Sequence, residues 1–292
     1  MQLTGATQLT LSVFVFFFGL AMGSFLNVVI HRLPRDDVSV SKPRRSFCPN
    51  CLARLGWRDN IPLLSFVLLR GRCRECGNPI SWRYPLVELL CALLALSIFT
   101  TEGFGFGFLF YYCFALALVA VAFIDLELMV IPDLLVFPTM LLGFVSSVVS
   151  PTPLLTGEHL WDLLLAHGWP RPLASLSGAV AGALLGFFCL FFAAWVYERR
   201  RGRKGLGEGD PPLLAMIGAF LGWHSVFPVL FISSLLALVA VFALIFAGKL
   251  PRAKKGEGGP PIPFGPFLSL AAIVWLFYGQ SIEHWYFRFM GI

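Results

Sequence analysis

Charge is what this sequence has least of. Only 13% of its 292 residues are Asp, Glu, Lys or Arg, and just 16 are acidic, against roughly 25% charged in an ordinary soluble chain. Apolar residues make up 58%. That deficit excludes an ordinary soluble enzyme, a disordered chain and a coiled coil, all of which need charge to stay solvated. The first 31 residues contain no Lys or Arg, so the opening apolar run has no basic n-region. No small-residue cleavage site follows before His31 and Arg32, and the run is expected to remain as a membrane helix rather than act as a cleaved signal. No nucleic-acid motif accompanies the net charge of +6, and no repeat of the inverted-transporter kind is readable. Membrane lipid is the expected partner of the positive charge, not nucleic acid.

Long apolar runs are abundant instead. Runs of 17–25 residues can cross a bilayer as helices. They occur at about 9–30, 84–99, 104–124, 131–149, 173–197 and 264–279. The stretch 211–248 is too long for one helix and suits two short ones with a break near Gly222 to Ser225. The expected fold is all-α, a polytopic membrane protein of about eight transmembrane helices with a cytoplasmic zinc-binding loop. Lys and Arg number eleven in 31–83, five in 198–209 and four in 249–263, leaving only Arg171 and Arg288. Eight passes put the three basic loops on one side and those two arginines on the other. The positive-inside rule then places the basic loops in the cytoplasm and both termini outside. Three parts follow: a first helix at 1–30, a cysteine loop domain at 31–83, and a seven-helix membrane domain at 84–292. The run of Gly and Pro at 256–261 reads as a loop breaker, and the long loop 151–172 is expected outside.

Of seven cysteines, Cys91, Cys113 and Cys189 sit in apolar runs and read as small buried hydrophobes. The other four form two C-x-x-C knuckles, Cys48 with Cys51 and Cys73 with Cys76, with 21 residues between them. This is close to the spacing of four-cysteine zinc sites. Four thiolates satisfy a tetrahedral Zn²⁺ and leave no open position, so the metal would be structural and would fold a loop that has no core of its own. A cytoplasmic loop keeps thiols reduced. Disulfides or redox knuckles are the alternative.

Two carboxylates fall where lipid or a bundle interior should be. Asp125 ends the third apolar run and Asp210 begins the sixth, both at the face of the basic loops. Asp210 precedes Pro211 and Pro212, which is good helix-start chemistry by itself. Asp125 at a helix C-terminus opposes the macrodipole, so capping does not account for it. Asp133 is a further helix-start residue near the same face. Two neighbouring carboxylates can hydrolyse a peptide: the ionised one takes a proton from water while the protonated one polarises the scissile carbonyl. The helix ends favour Asp210 as base and Asp125 as acid. Gly205, Gly207 and Gly209 permit backbone positions suited to close approach of a substrate or to a mobile loop.

An ordered set of motifs then carries a resemblance over nearly the whole chain. It comprises Gly23-Ser24-Phe25-Leu26-Asn27-Val28-Val29-Ile30-His31-Arg32-Leu33-Pro34, the two knuckles, Asn60-Ile61-Pro62-Leu63-Leu64-Ser65 and Gly71-Arg72-Cys73. It continues with Ile80-Ser81-Trp82-Arg83-Tyr84-Pro85-Leu86-Val87-Glu88, Ile124-Asp125, Ile131-Pro132-Asp133, Gly207-Glu208-Gly209-Asp210 and Pro261-Ile262-Pro263-Phe264-Gly265-Pro266. The chain resembles the type IV prepilin peptidases, bifunctional leader peptidase/N-methyltransferases of the G-x-G-D aspartyl protease class. The resemblance implies a bacterial inner-membrane enzyme with Asp125 and Asp210 catalytic. It implies cleavage after Gly of the basic leader of type IV prepilin and pseudopilin precursors. Methylation of the freed α-amine would follow, with S-adenosylmethionine as donor. No donor-binding residues are readable. Glu88 is a candidate for the second activity or for a polar contact in the bundle, and Glu127 and Glu208 for contact with the leader. Where the family has an apolar residue and then Lys after the second Asp, this chain has Pro211-Pro212, and the loop 151–172 looks longer than the family's. A proton-coupled transporter using Asp125 and Asp210 as a relay is the rival reading; apolar segment centres argue against it. A second rival is a non-catalytic assembly factor docking through the cysteine loop.

Overall fold

The computed structural model describes residues 5–35, 47–48, 50–152, 155–202, 207–249 and 262–290. Arg203, Lys204, Gly205, Arg252, Lys254, Lys255, Pro261, the breaker run before it and part of the first basic loop lie outside the described residues. The described residues are helical apart from turns and two isolated β-bridges, Phe47 with Arg54 and Arg72 with Pro79. Ten α-helices follow in order: α1 Gly5–Arg32, α2 Leu64–Leu68, α3 Arg83–Glu102, α4 Phe106–Leu128, α5 Asp133–Val149, α6 Glu158–Ala166, α7 Arg171–Arg201, α8 Asp210–Leu221, α9 Val226–Phe246 and α10 Gly265–Met290. Eight of these are the expected apolar helices, and the break expected near Gly222 is a 3-10 turn, Trp223–Ser225. Among the described residues six helices are long and apolar enough to cross a membrane; α5 and α8 are shorter, with 17 and 12 residues. The long loop 151–172 is not bare: it contains α6.

The chain forms two compact units, Met1–Ala120 and Val121–Ile292, with the boundary inside α4. In the first unit α1 and α3 run antiparallel in close contact. A Cβ built on Gly19 or Gly23 would lie 2.6 Å from the Cα of Ala92 or Glu88. Glycines therefore let the two backbones meet, as helices in lipid require when no hydrophobic effect drives them together. The Tyr112 hydroxyl of α4 donates to the Cys91 carbonyl at 3.3 Å, and Phe104, Phe108 and Tyr112 stack along α4 with Phe99 edge-on.

The second unit is built round α8, nearly all of whose residues are buried. The contact with α7 is again glycine on backbone: a Cβ on Gly182 would lie 2.2 Å from the Gly218 carbonyl oxygen, and one on Gly186 2.5 Å from that of Leu214. Helix α5 adds Gly143 against Phe220 and Ala219. At the C-terminal end of α8 the chain turns at Gly222, where Leu155 and Thr156 of the long loop are buried against it. Trp223 Nε1 donates to the Thr156 carbonyl at 3.1 Å, and His224 Nδ1 lies 2.6 Å from Glu283 Oε1 of α10.

Candidate active site

The opposite end of α8 holds Asp210, 4% exposed, and Asp125 is 5% exposed. Asp210 is the first residue of α8, as its two following prolines dictate, since neither needs a backbone N–H there. Asp125 does not end its helix: α4 runs on to Leu128, because Leu126 and Leu128 keep a helical backbone favourable for a further turn. Asp125 Oδ2 accepts the Gly265 N–H at 2.9 Å, and Asp210 Oδ2 accepts the Gly207 N–H at 3.0 Å. The two carboxylates are close enough to interact electrostatically. Ile131 ties their supports together. A Cβ on Gly209 would lie 2.6 Å from Ile131 Cβ, and one on Gly265 2.7 Å from Asp125 Oδ2 and 3.3 Å from Ile131 Cδ1. The last turn of α4, the residue Ile131 before α5 and the starts of α8 and α10 supply these groups. Asp133 starts α5 and is exposed, as helix-start chemistry predicts. Glu127 and Glu208 are exposed beside the aspartates in sequence.

The register of α7 on α8 gives the level of the site along α7. Gly182 opposes Gly218 and Gly186 opposes Leu214, so Asp210 lies level with Leu190. Helix α7 continues nine residues further to Arg199, about 13 Å at 1.5 Å per residue. Along that stretch Phe191, Phe192 and Trp195 are exposed apolar surface. The 12 residues of α8 span only ~18 Å against ~30 Å of hydrocarbon. The register therefore places Asp210 about 13 Å along α7 from its basic end.

Gly265, which the sequence motif contains without a stated role, touches Asp125 directly. Its signal was available: a glycine between Phe264 and Pro266 opens an apolar helix, and only an absent side chain admits a buried carboxylate to that N-terminus.

The four knuckle cysteines come together in the first unit. Their Sγ atoms all lie within 4.8 Å of one another, with Cys48 Sγ 3.9 Å from Cys76 Sγ. That exceeds a covalent S–S bond of about 2.05 Å and is near the ~3.8 Å edge of a tetrahedron with 2.3 Å metal–sulfur bonds. The knuckles are twins. Cys48 N–H donates to the Ala53 carbonyl and Cys73 N–H to that of Asn78, both at 2.9 Å; Leu52 and Gly77, both at positive φ, return N–H bonds to the Cys48 and Cys73 carbonyls. The N–H groups of Cys76 and Glu75 hold Cys73 down at about 7. Cys51 is pushed up to about 12: the Ala53 N–H opposes the rise, but desolvation and three neighbouring sulfurs outweigh it. Four sulfurs so close cannot all ionise without a cation, so the cluster suits a metal ion. An exposed ion pair of Arg74 with Asp59, 2.7 Å long, ties the second knuckle to the intervening turn.

Residues 17–101 match the bacterial peptidase A24 N-terminal domain, and residues 112–244 match the type IV leader peptidase family. A prepilin leader peptidase/N-methyltransferase of Aeromonas hydrophila is 40% identical over 93% of this chain and 92% of its own. Proteins of the same description from Xanthomonas campestris and Pseudomonas aeruginosa are 36% and 32% identical, each over 94% of this chain and 93% and 92% of their own. The chain belongs to the type IV prepilin leader peptidase family. No solved structure matches it. As a member of this bacterial family it is a multi-pass membrane protein, and its aspartate pair and cysteine cluster fall in the two regions that the two family models cover separately.

Proposed function

We propose that this prepilin leader peptidase is a bifunctional enzyme that removes the basic leader of type IV prepilins and pseudopilins after Gly and then methylates the new N-terminal α-amine with S-adenosylmethionine. The observation that carries the first step is the pair of buried aspartates at one end of a bundle of apolar helices, each anchored through one oxygen by a backbone N–H. Asp210, at the positive end of α8, is the base, and Asp125, in the last turn of α4, is the acid. Asp210 takes a proton from water as its oxygen adds to the scissile carbonyl. Asp125 gives its proton to the developing oxyanion. Collapse of the tetrahedral intermediate breaks the C–N bond, and the leaving amine takes up a proton. The Gly207 and Gly265 N–H groups fix both carboxylates so that little reorganisation accompanies the reaction.

A prepilin is itself a helix in the membrane with its scissile bond near the cytoplasmic side, so a carboxylate pair at that end of the bundle meets the bond without unwinding the whole substrate. The basic loops set the orientation, with the cysteine loop in the cytoplasm and both termini outside. The basic leader is better met by Glu127 and Glu208 than by the chain's own cations. Cys48, Cys51, Cys73 and Cys76 hold a structural Zn²⁺ that folds the 31–83 domain between the first helix and the membrane domain. The test is incubation with a pilin precursor and S-adenosylmethionine, read by mass. Leader loss plus one added methyl is expected. Leader loss that persists in both Asp125→Asn and Asp210→Asn would end the aspartyl protease assignment.

A further inference from the structure

The first unit contains another buried carboxylate, which leader cleavage does not use. Glu88 of α3 is 8% exposed. Its Oε2 accepts the Leu63 N–H at 2.8 Å, and the Ser24 hydroxyl of α1 lies beside the same carboxylate. One helical turn away on the facing helix, Asn27 is 3% exposed, and its Nδ2 donates to the Tyr84 carbonyl at 3.1 Å. That bond fixes which end of the amide is which, and it leaves Asn27 Oδ1 buried with no hydrogen-bond partner. An orphaned buried acceptor costs about 1–3 kcal/mol, so a native one calls for a ligand group or a water.

Ser24 and Asn27 lie one turn apart on α1, opposite Glu88 and Tyr84 one turn apart on α3, so three oxygens share one stretch of the seam where the two backbones touch at Gly23. A primary ammonium offers three donors and no acceptor, which this set matches in number and charge. On either side Phe25, Leu86 and Leu89 are exposed apolar residues, so the ammonium can arrive on the end of an apolar helix. Ser24 is only half-buried and marks the open side.

We propose that Ser24, Asn27 and Glu88 form the site for the α-ammonium of the cleaved pilin, with Glu88 as the base for methyl transfer. This rests on the methyltransferase activity proposed above. Glu88 takes one proton from the ammonium. The nitrogen lone pair forms a bond to the methyl carbon of the sulfonium donor. The C–S bond breaks with its electrons kept by sulfur, which becomes a neutral thioether. The secondary ammonium departs, and Glu88 passes its proton to water.

The test uses full-length, zinc-loaded enzyme in phospholipid–detergent micelles, with S-adenosylmethionine, a pre-cut pilin peptide bearing a free α-amine, and the intact precursor. Glu88→Gln keeps an acceptor for the Leu63 N–H but cannot take a proton. Methylation kcat is expected to fall roughly 100-fold or more, with cleavage within about twofold of wild type and zinc content unchanged; Glu88→Asp recovers part of the rate. Ser24→Ala is expected to raise the KM for the peptide several-fold with little change in kcat. Methylation by Glu88→Gln near the wild-type rate overturns the proposal. So does joint loss of zinc, cleavage and methylation, which would make Glu88 a tether for the cysteine loop through Leu63. Failure of the wild-type enzyme to methylate the peptide would instead remove the methyltransferase reading, and this site with it.

Discussion

Replacing Gly265 with alanine would put a methyl carbon 2.7 Å from Asp125 Oδ2, 3.2 Å from its Cγ and 3.3 Å from Ile131 Cδ1. Ordinary contact begins at 3.4 Å, so the carboxylate or the start of α10 must move by about 0.7 Å. Ile131 blocks retreat on one side, because it is also wedged against Gly209 beside Asp210. A misplacement of about 1 Å in a near-attack geometry can cost ~100-fold in rate. Gly265→Ala is therefore expected to slow leader cleavage roughly 10- to 100-fold, about 1.4–2.7 kcal/mol of barrier. The assay is the initial rate of leader loss from a purified precursor, followed by mass. Methylation of a pre-cut peptide and zinc content, measured in parallel, report on the first unit and should not change. Gly105→Ala, where an added Cβ meets nothing within 4 Å, is the silent control. Cleavage by Gly265→Ala within twofold of wild type would show that the Gly265 N–H does not position Asp125, and the reasoning would fail.

Asp125→Asn and Asp210→Asn should each leave precursor uncleaved at normal protein and zinc levels, measured by immunoblot and metal analysis; residual leader removal above one part in a thousand would point to another catalytic group. Zinc should be present at about one ion per chain, and Cys48→Ser with Cys73→Ser should abolish it and expose 47–80 to protease, read by limited proteolysis. Gly182→Leu should lower thermal stability by about 1–3 kcal/mol or more, since its Cβ already meets the Gly218 carbonyl at 2.2 Å; an unchanged unfolding midpoint in detergent would contradict the backbone contact between α7 and α8.

Local chemistry determined much of this protein from its sequence alone. Apolar runs announce helices because lipid leaves no other way to satisfy the backbone, and all eight appeared, with the break at Gly222. Two C-x-x-C turns announce their cluster because each knuckle is closed by its own hydrogen bonds within a few residues. Asp125 and Asp210 could be singled out by position and by resemblance. What they share could not, because the Gly265 N–H that holds Asp125 comes from 140 residues further along the chain. Helix α6 and the burial of Leu155 were equally unreadable, since α6 is short and Leu155 is buried by Gly178 and Gly222, which lie far along the chain. The level of Asp210 along α7 needed the register of α7 on α8, which glycines permit but do not number. Contacts between helices distant along the chain depend on which faces meet, and only the folded chain decides that.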